Sequence, residues 1–351
     1  MAVSFEVEGR KVGPSHPVFL VAEAGVNHNG SAEMARQLVR AAKAAGADCV
    51  KFQTFKAERV VTEAAPKAVY QTKVTDPAES QIDMLRKLEL DEGAYGDLIT
   101  ACKAEDIVFT STPYNEEDID FLMSLDVPVL KAASIHLVEP KFLQAMAATG
   151  KPLLVSTGMA TWDDVDLAIR AIRETGNENF VMLQCTTNYP SAVADAHLNA
   201  MTEMARRYDC LVGYSDHTQS RVPCIASVGM GACVIEKHFT LDRGLPGPDH
   251  TTSEDPDGFR VLSAAVREAE LALGRAEMAP TEAERANMEG MRRSLTAKVA
   301  IAKDRVITDA DLICRRPATG VAPKFWDDVV GKVAKRDIAA GEMLAWGDLG
   351  D

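Results

Sequence analysis

The chain has 351 residues, 46% of them hydrophobic, and carries a formal net charge of −14. This length fits one large domain plus a small one, and the acidic balance excludes non-specific nucleic-acid binding, which needs clustered Lys and Arg. The sequence begins without an apolar signal-peptide core, and no stretch approaches the length of a membrane span, so neither secretion nor membrane insertion is expected. Seven cysteines without a CxxC pair indicate buried, reduced thiols in a cytoplasmic protein.

Short apolar runs alternate with longer segments of helical period. The runs are Val18–Ala22, Ala47–Phe52, Ile107–Thr110, Val129–Ala133, Leu153–Ser156, Phe180–Gln184, Leu211–Tyr214 and Ala232–Glu236. This alternation is typical of a (β/α)8 TIM barrel. The main alternative, a doubly wound open sheet, usually has a Gly-rich phosphate turn after its first strand, and none is present. We therefore predict an α/β fold with a TIM-barrel catalytic domain over residues 1–273.

The composition changes after the last apolar run. Residues 274–293 begin as an Ala-, Glu- and Met-rich stretch without a strand pattern, which predicts a linker that can be helical. Residues 294–351 contain short β-like pieces with turn-rich joints. A tail of about 58 residues is small for an independent core, so we expect it to lean on another part of the protein.

Strand alternation predicts which side chains face the barrel interior. Catalytic groups of such barrels come from the carboxyl ends of the strands. In "CVKFQ", Lys51 and Gln53 share the inner face, and in "ACVIEKHFT" Glu236 and His238 share it, while Lys237 faces the helices. The same count predicts one inner mouth made of Glu23, Lys51, Gln53, Lys131, Ser134, Ser156, Ser215, His217, Glu236 and His238.

Each of these side chains also has a purely structural interpretation. A single Lys on a strand is more often a salt-bridge partner than a catalyst, and a single His at a strand end is usually a satisfied polar group. Two interior lysines are harder to explain in this way, because an unpaired buried ammonium is costly and a bound phosphate or carboxylate would compensate both. Two His at the ends of adjacent strands can share a metal ion and leave positions open for catalysis.

The loop "EAGVNHNG", residues 23–30, has two interpretations. Asn and Gly tolerate left-handed backbone, so the loop can be a simple turn. It can also contact a sugar hydroxyl or place a helix N-terminus against an anion. The spacing leaves both interpretations open.

Seven motifs, in this order, resemble the sialic acid synthase family, which includes N-acetylneuraminate, legionaminic and pseudaminic acid synthases. They are "AEAGVNHNG", "KFQTFKAE", "STP", "STGMAT", "GYSDHT", "EKHFTLDRGLPGPDH" and "RRPATG". The likeness covers nearly the whole chain, and residues 294–351 resemble the β-rich antifreeze-like (SAF) domain at the C-terminus of these synthases.

The resemblance implies a metal-dependent transferase that forms a carbon–carbon bond. Phosphoenolpyruvate would condense with an N-acetylated amino sugar, N-acetylmannosamine or a diacetamido-trideoxyhexose, to give a nine-carbon 2-keto acid and phosphate. The resemblance also implies a divalent metal ion, Mn²⁺ or Mg²⁺. It further implies a domain-swapped homodimer, in which the C-terminal domain of one copy closes the barrel mouth of the other.

The resemblance assigns roles to individual residues. It makes Glu23 and Glu236 the acidic residues beside the reacting carbons, and His217 and His238 the metal ligands. The phosphoenolpyruvate site would consist of Lys51, Thr112, Lys131, Ser134, Ser156 and Ser215. The amino sugar would be bound by Gln53, Tyr189, Asp249 and, from the tail of the second copy, Arg316.

One motif departs from the family pattern. Family members commonly have Ser-Gly-Glu shortly after the lysine of the fourth apolar run, which is Lys131 here. This chain has Ser134-Ile135-His136 instead. That Glu contacts the sugar in family members, so His136 leaves the choice of sugar open, and the departure favours an unphosphorylated sugar of bacterial type.

Two other functions are compatible with parts of the pattern. A Schiff-base aldolase of the N-acetylneuraminate type would use Lys51 or Lys131 as its nucleophile. A carbohydrate- or ice-binding protein would use the antifreeze-like tail, but such a scaffold has no need for two interior lysines.

Overall fold

The computed structural model describes residues 4–68, 70–76 and 78–351 of a chain that divides into two compact units, Met1–Gly274 and Arg275–Asp351. The strands of the first unit are β1 (Phe5–Val7), β2 (Arg10–Val12), β3 (Phe19–Gly25), β4 (Cys49–Thr54), β5 (Val108–Pro113), β6 (Leu130–Ala132), β7 (Leu153–Ser156), β8 (Phe180–Cys185), β9 (Leu211–Asp216) and β10 (Val234–His238). Within the described residues, β3 to β10 form a closed parallel barrel in chain order, completed by pairing of β10 with β3. The predicted TIM barrel is confirmed.

Helices follow the barrel strands and cover the outside of the barrel. They are α1 (Ala32–Ala44), α2 (Ala57–Val60), α3 (Gln71–Val74), α4 (Gln81–Arg86), α5 (Tyr95–Ala104), α6 (Glu116–Ser124), α7 (Pro140–Ala148), α8 (Trp162–Arg173), α9 (Leu198–Tyr208), α10 (Val222–Gly229) and α11 (Pro256–Leu273). Local sequence explains several of their starts. For example, a capping box of Thr161 and Asp164 begins α8, so two N–H groups that the helix leaves free are bonded.

The outward-facing strand residues form a core with these helices. Leu20, Val50, Phe52, Leu130 and Ile235 are buried against the helix layer. Each fully buried side chain of this size contributes roughly 1.5–3 kcal/mol to folding. The alternate strand positions are therefore left to line the interior of the barrel.

The interior has an apolar lower layer and a polar upper layer. Phe19, Val21, Val108 and Leu154 belong to the lower layer, which the β1–β2 hairpin closes from below. This hairpin was not among the predicted elements. Within the barrel, a side chain at Gly213 would lie 2.4 Å from the carbonyl oxygen of Val234, so only glycine fits between β9 and β10.

The C-terminal unit has its own small core. Its elements are α12 (Glu282–Met291), β11 (Ser294–Ala297), β12 (Leu312–Arg315), α13 (Trp326–Val329), β13 (Val333–Ala334) and β14 (Leu349–Gly350), with β11 paired to β12 and β13 to β14. Its core includes Leu295, Ile301, Ile307, Ile338 and Leu344. The helix α12 lies within the stretch predicted as a linker.

No helix in the described part of the chain has the length and hydropathy to cross a membrane. All seven cysteines are free; six are buried, as the sequence predicts, whereas Cys314 is half-buried.

Candidate active site

The polar upper layer of the barrel surrounds a cavity of about 300 Å³ at the carboxyl ends of the strands. The lining residues are Glu23, Lys51, Gln53, Ala68, Tyr70, Thr112, Tyr114, Lys131, Ala133, Ser134, Ile135, Ser156, Met159, Cys185, Thr187, Tyr189, Ser215, His217, Glu236 and His238. All ten side chains placed in the mouth by strand alternation are among them. Thr112 and Tyr189, which only the family resemblance singled out, also line the cavity.

A buried ion-pair network forms one side of the cavity. Lys51 Nζ lies 2.8 Å from Glu23 Oε2 and 3.7 Å from Glu236 Oε1. The same ammonium donates a hydrogen bond of 3.2 Å to Thr112 Oγ1. Gln53 Nε2 donates to Glu23 Oε1 at 3.1 Å. Strand register explains the contact, because Glu23 on β3 pairs with Lys51 on β4.

The second interior lysine extends the network across the barrel. Lys131 Nζ lies 3.7 Å from Glu236 Oε1 and donates a 2.7 Å hydrogen bond to Ser156 Oγ. The Ser215 hydroxyl donates to Glu236 Oε1 at 3.2 Å. Two ammonium groups and two carboxyl groups are thereby held within one water-poor site, where electrostatic interactions are strong.

The two carboxyl groups have different environments. Burial raises the pKa of Glu23 above its ordinary value, although Lys51 opposes the shift, and the charge of Glu236 adds to it. Burial alone would raise the pKa of Glu236 as well, but the ammonium groups of Lys131 and Lys51 outweigh burial and lower it. Glu236 is therefore suited to remain ionised, while Glu23 is suited to exchange a proton.

Two imidazoles lie together beside this network, since His238 pairs in register with Glu23. The ring centroids of His217 and His238 are 5.3 Å apart, and the Tyr189 ring lies 4.1 Å from that of His217. His217 Nδ1 lies 2.7 Å from the carbonyl oxygen of Thr186, so the ring donates its N–H there and Nε2 is the nitrogen left to bind a cation. Burial alone would lower the pKa of His217, but the neighbouring Cys185 and the Thr186 carbonyl outweigh burial and raise it. Burial and the neighbouring His217 lower the pKa of His238 well below its ordinary value, so this ring is neutral.

The imidazole pair fits a divalent ion bound by few protein ligands. His238 Nδ1 and Glu236 Oε2 are buried and have no hydrogen-bond partner within the described ranges. Orphaned polar atoms of this kind are costly unless something binds them. The described residues contain no cluster of three or more His, Cys, Asp or Glu side chains arranged to hold a metal ion. A metal bound here would keep positions open for substrate, as in a catalytic site.

Aromatic residues from the loops after the strands form the outer wall. The Tyr114 hydroxyl donates to Gln53 Oε1 at 3.1 Å, and the Tyr70 ring lies 4.8 Å from that of Tyr189. Sequence reasoning missed Tyr70 and Tyr114, together with the lining residues Ile135, Met159, Cys185 and Thr187. These residues lie in loops or at strand ends, where no alternation pattern identifies the side chains that reach the cavity.

Ser134 is held by the next loop of the barrel. The backbone N–H of Gly158 donates to Ser134 Oγ at 3.0 Å. A side chain at Gly158 would lie 2.6 Å from that oxygen and 2.0 Å from Thr187 Oγ1. The glycine in "STGMAT" is therefore required for this close approach.

His136 does not line the cavity, although its position matches a sugar-contacting Glu in the family. Its ring packs at 4.3 Å on that of Phe142, and its Nδ1 lies 3.1 Å from Glu139 Oε2. The exposed Ile135 lines the cavity instead. The short 3₁₀ turn Ser134–Val138 explains the change, because its geometry does not follow strand alternation.

The loop "EAGVNHNG" contributes Glu23 to the cavity, whereas its Asn27 makes structural contacts. Asn27 Nδ2 donates to the Phe239 carbonyl oxygen and to Ser253 Oγ, both at 2.9 Å. Asn27 and His28 are buried and do not line the cavity. The loop therefore ties the end of β3 to the segment that follows β10.

Two residues assigned to the sugar by resemblance lie outside the cavity lining. Asp249 is buried beside it, with Oδ2 4.0 Å from His238 Nδ1. Arg316 belongs to the C-terminal unit, where its side chain is exposed and its Nε donates to the Met291 carbonyl oxygen at 3.0 Å.

Comparisons with known proteins agree with this geometry. The NeuB family profile matches residues 38–278, and the SAF domain profile matches residues 292–350. The chain is 42% identical to the N,N'-diacetyllegionaminic acid synthase of Legionella pneumophila, over 95% of each chain. It is 37% identical to the N,N'-diacetyllegionaminic acid synthase of Campylobacter jejuni, over 93% of this chain and 98% of that one.

A solved structure with the same architecture is also similar. It is the N-acetylneuraminic acid (sialic acid) synthetase of Leptospira borgpetersenii in complex with citrate. The TM-score is 0.74 at 27% identity, and the match covers 82% of this chain and 96% of that one.

Proposed function

Because the chain belongs to the NeuB family, we propose that it is a synthase that joins phosphoenolpyruvate to an N-acylated amino sugar. The products are a nine-carbon 2-keto acid and phosphate. The observation that carries the proposal is one cavity lined by both two buried lysines and two imidazoles. Although the chain as a whole is acidic, the positive charges of these two lysines allow the cavity to bind an anionic substrate.

The lysine side of the cavity binds phosphoenolpyruvate. Lys51 and Lys131 balance the charges of its carboxylate and phosphate, in a site where water does not screen them. Hydroxyls that line the cavity supply further hydrogen bonds; they belong to Thr112, Ser134, Ser156 and Ser215.

The carboxyl groups act on the reacting carbons. C3 of phosphoenolpyruvate attacks the aldehyde carbon of the open-chain sugar, and positive charge develops at C2. The ionised Glu236 stabilises that charge, and Glu23 takes a proton from the water that adds to C2. The tetrahedral carbon then expels phosphate with cleavage of its C–O bond. Of the two protons of that water, one is taken up by the former aldehyde oxygen, which becomes a hydroxyl, and the second leaves with the phosphate. The different pKa directions of Glu23 and Glu236 support this division of roles.

His217 and His238 would hold a divalent ion, Mn²⁺ or Mg²⁺. Such an ion supplies Lewis-acid polarisation of the sugar's aldehyde oxygen. The unpartnered Nδ1 of His238 and the fixed ring of His217 support this assignment.

The sugar is a diacetamido-trideoxyhexose rather than N-acetylmannosamine. Two relatives of high identity are N,N'-diacetyllegionaminic acid synthases, which supports a substrate with two N-acetyl groups. Ala68, Ile135 and Met159 add apolar surface to the cavity, suited to the methyl groups of such a sugar. Gln53, Tyr189 and Asp249 would contact its polar groups.

A second copy of the chain completes the site. The C-terminal unit carries as many Lys and Arg residues as Asp and Glu, so the whole net charge of −14 falls on residues 1–274. A groove of about 950 Å³ on the C-terminal unit is bordered by the cationic residues Arg285, Arg292, Arg293 and Lys324. This complementary charge supports a domain-swapped homodimer in which exposed Arg316 reaches the sugar bound by the other copy.

One observation favours the Schiff-base aldolase alternative. Burial, together with the charge of Lys51, lowers the pKa of Lys131, as a nucleophilic lysine requires. Borohydride trapping with pyruvate distinguishes the two reactions, because a covalent lysine adduct requires the aldolase and the synthase forms none.

Phosphate release tests the proposed function. The full chain is incubated with phosphoenolpyruvate, Mn²⁺ and one sugar of a panel: N-acetylmannosamine, its 6-phosphate, or a diacetamido-trideoxyhexose. We expect sugar-dependent phosphate release, fastest with the diacetamido sugar. Release that requires no sugar, or none with any sugar, would refute the proposal.

A further inference from the structure

A second buried ion pair lies behind the candidate active site, on the outer face of the barrel. Lys237 Nζ is 2.6 Å from Asp216 Oδ2, and the two side chains are only 2% and 0% exposed. The residues are paired in register on β10 and β9. Sequence alternation predicts the outward direction of Lys237, but no role beyond an ion pair follows from the sequence.

The pair is the centre of a saturated hydrogen-bond network. The Asp216 carboxylate also accepts from the Tyr214 hydroxyl at 3.0 Å, from the Thr218 N–H at 2.8 Å and from Cys224 Sγ at 3.2 Å. The Lys237 ammonium also donates to the Thr218 carbonyl oxygen at 2.8 Å. The network thus fixes the loop that begins directly after His217.

Stability alone does not explain such a pair. Burying two charges costs about as much as their attraction returns, and apolar residues of similar volume are often equally stable or more so. The pair's distinctive property is its position in the sequence. Asp216 separates Ser215 from His217, and Lys237 separates Glu236 from His238, so each charged residue has two cavity-lining neighbours.

The network also reaches the loop that carries Tyr189. The Ser191 N–H donates to the His217 carbonyl oxygen at 2.9 Å, and Ser191 forms a β-bridge with Thr218. A shift of the loop held by Asp216 would therefore move both an imidazole and the aromatic ring packed against it.

We propose that Asp216 and Lys237 are positioning residues that set the separation of His217 and His238 for binding a divalent cation. The inference rests on the proposed metal-binding function of these imidazoles. The pair acts through the backbone of β9 and β10 and touches neither substrate nor cation. Outer groups that orient metal ligands typically change affinity by 10- to 100-fold when removed.

The test measures Mn²⁺ binding to the full chain, from the electron paramagnetic resonance signal of free Mn²⁺. The double variant Asp216→Asn/Lys237→Met removes both charges together, so no uncompensated charge remains buried. We expect it to fold and to bind Mn²⁺ about 10- to 100-fold more weakly than the wild type. A dissociation constant equal to that of the wild type would overturn the inference.

A matched control separates positioning from general stability. Arg267 NH2 lies 2.8 Å from Asp48 Oδ2, near the start of β4 and on a different part of the barrel. Arg267→Met should lower the melting temperature and leave the Mn²⁺ dissociation constant unchanged. If Arg267→Met weakens Mn²⁺ binding as much as the double variant does, the role of the Asp216 pair is only structural. If the wild type binds no Mn²⁺, the cation site and the inference both fail, whereas phosphate release tests the synthase reaction separately.

Discussion

Glu23 and Lys51 form an ion pair across adjacent strands, with 2.8 Å between Glu23 Oε2 and Lys51 Nζ, in the interior of the barrel. Both side chains are at most 4% exposed. The pair places a cation for an anionic substrate directly beside a carboxyl group whose pKa is raised by burial. We therefore propose that substrate binding and proton transfer are supplied by neighbouring residues.

Replacing this lysine tests the anion site. Lys51→Met keeps most of the side-chain volume and removes the charge, so we expect kcat/KM for phosphoenolpyruvate to fall by about 10²- to 10³-fold. Lys151→Met is the control, because it removes an ion pair with Asp126 on the surface and should leave kcat/KM unchanged. Steady-state phosphate release measures both. Equal activities for Lys51→Met and the wild type would exclude Lys51 from substrate binding.

The imidazole pair is tested by His217→Ala and His238→Ala. Each variant removes a proposed metal ligand, so we expect activity to fall by at least about 100-fold while circular dichroism shows an intact fold. Chelation of the wild type should have the same effect and be reversed by Mn²⁺. His16→Ala, in the loop before β3, serves as the control. Full activity of either site variant, or of chelated enzyme, would contradict a metal-dependent reaction.

The raised pKa of Asp249 predicts that the stability of the fold depends on pH. Burial, with the charge of Glu23, raises the pKa of Asp249 from 3.8 to about 6. A carboxyl group with a raised folded-state pKa stabilises the fold below the unfolded pKa, and this contribution is lost as pH rises through the folded pKa. Without metal, the free energy of unfolding of the wild type should therefore fall by about 2 kcal/mol between pH 4 and pH 6 relative to Asp249→Asn. Denaturant unfolding in chelator measures the difference, and parallel pH profiles of the two proteins would contradict the raised pKa.

Ile135 is predicted to influence the choice of sugar. Its exposed side chain lines the cavity, and loss of an apolar contact of this size changes discrimination by about 10-fold or more. Ile135→Ser should therefore lower the ratio of kcat/KM for the diacetamido sugar over that for N-acetylmannosamine. Val138→Ser is a matched control, since Val138 ends the same 3₁₀ turn, is exposed, and does not line the cavity. The same ratio in Ile135→Ser and the wild type would exclude this role.

The role of Arg316 is tested by complementation between two inactive variants. Arg316→Ala has an intact barrel site, and His217→Ala has an intact tail. If the tail acts on the other copy, mixed dimers contain one complete site of two, and a statistical mixture recovers about a quarter of wild-type activity. The two variants are co-expressed, and the formation of mixed dimers is demonstrated separately. If these mixed dimers show no activity, Arg316 acts on the barrel of its own chain or lies outside the site.

Strand alternation predicted much of the barrel and its mouth. The period of two separates Glu236 and His238 from Lys237, and the structure places the first two in the cavity and Lys237 outside it. Lys51 and Lys131 follow the same rule. Such predictions succeed because a barrel strand has only two faces, and one of them is filled by apolar contacts with the helices.

The sequence could not predict the segments in which hydrophobic residues do not recur at a regular spacing. Tyr70 and Tyr114 reach the cavity from loops, and a loop's direction depends on tertiary contacts. His136 was left without a role by the motif, and the 3₁₀ turn directs its ring toward Phe142, which the motif does not predict. The β1–β2 hairpin pairs only three residues per strand, which is too short for an alternating pattern to stand out.

The central claim is tested most directly by following both products in ¹⁸O-labelled water. The full chain is supplied with phosphoenolpyruvate, Mn²⁺ and a diacetamido-trideoxyhexose, and mass spectrometry measures the acid and the phosphate. The account predicts one nine-carbon 2-keto acid for each phosphate released, with no ¹⁸O in the phosphate, because the C–O bond is cleaved. Labelled phosphate, or phosphate formed without the nine-carbon acid, would contradict it.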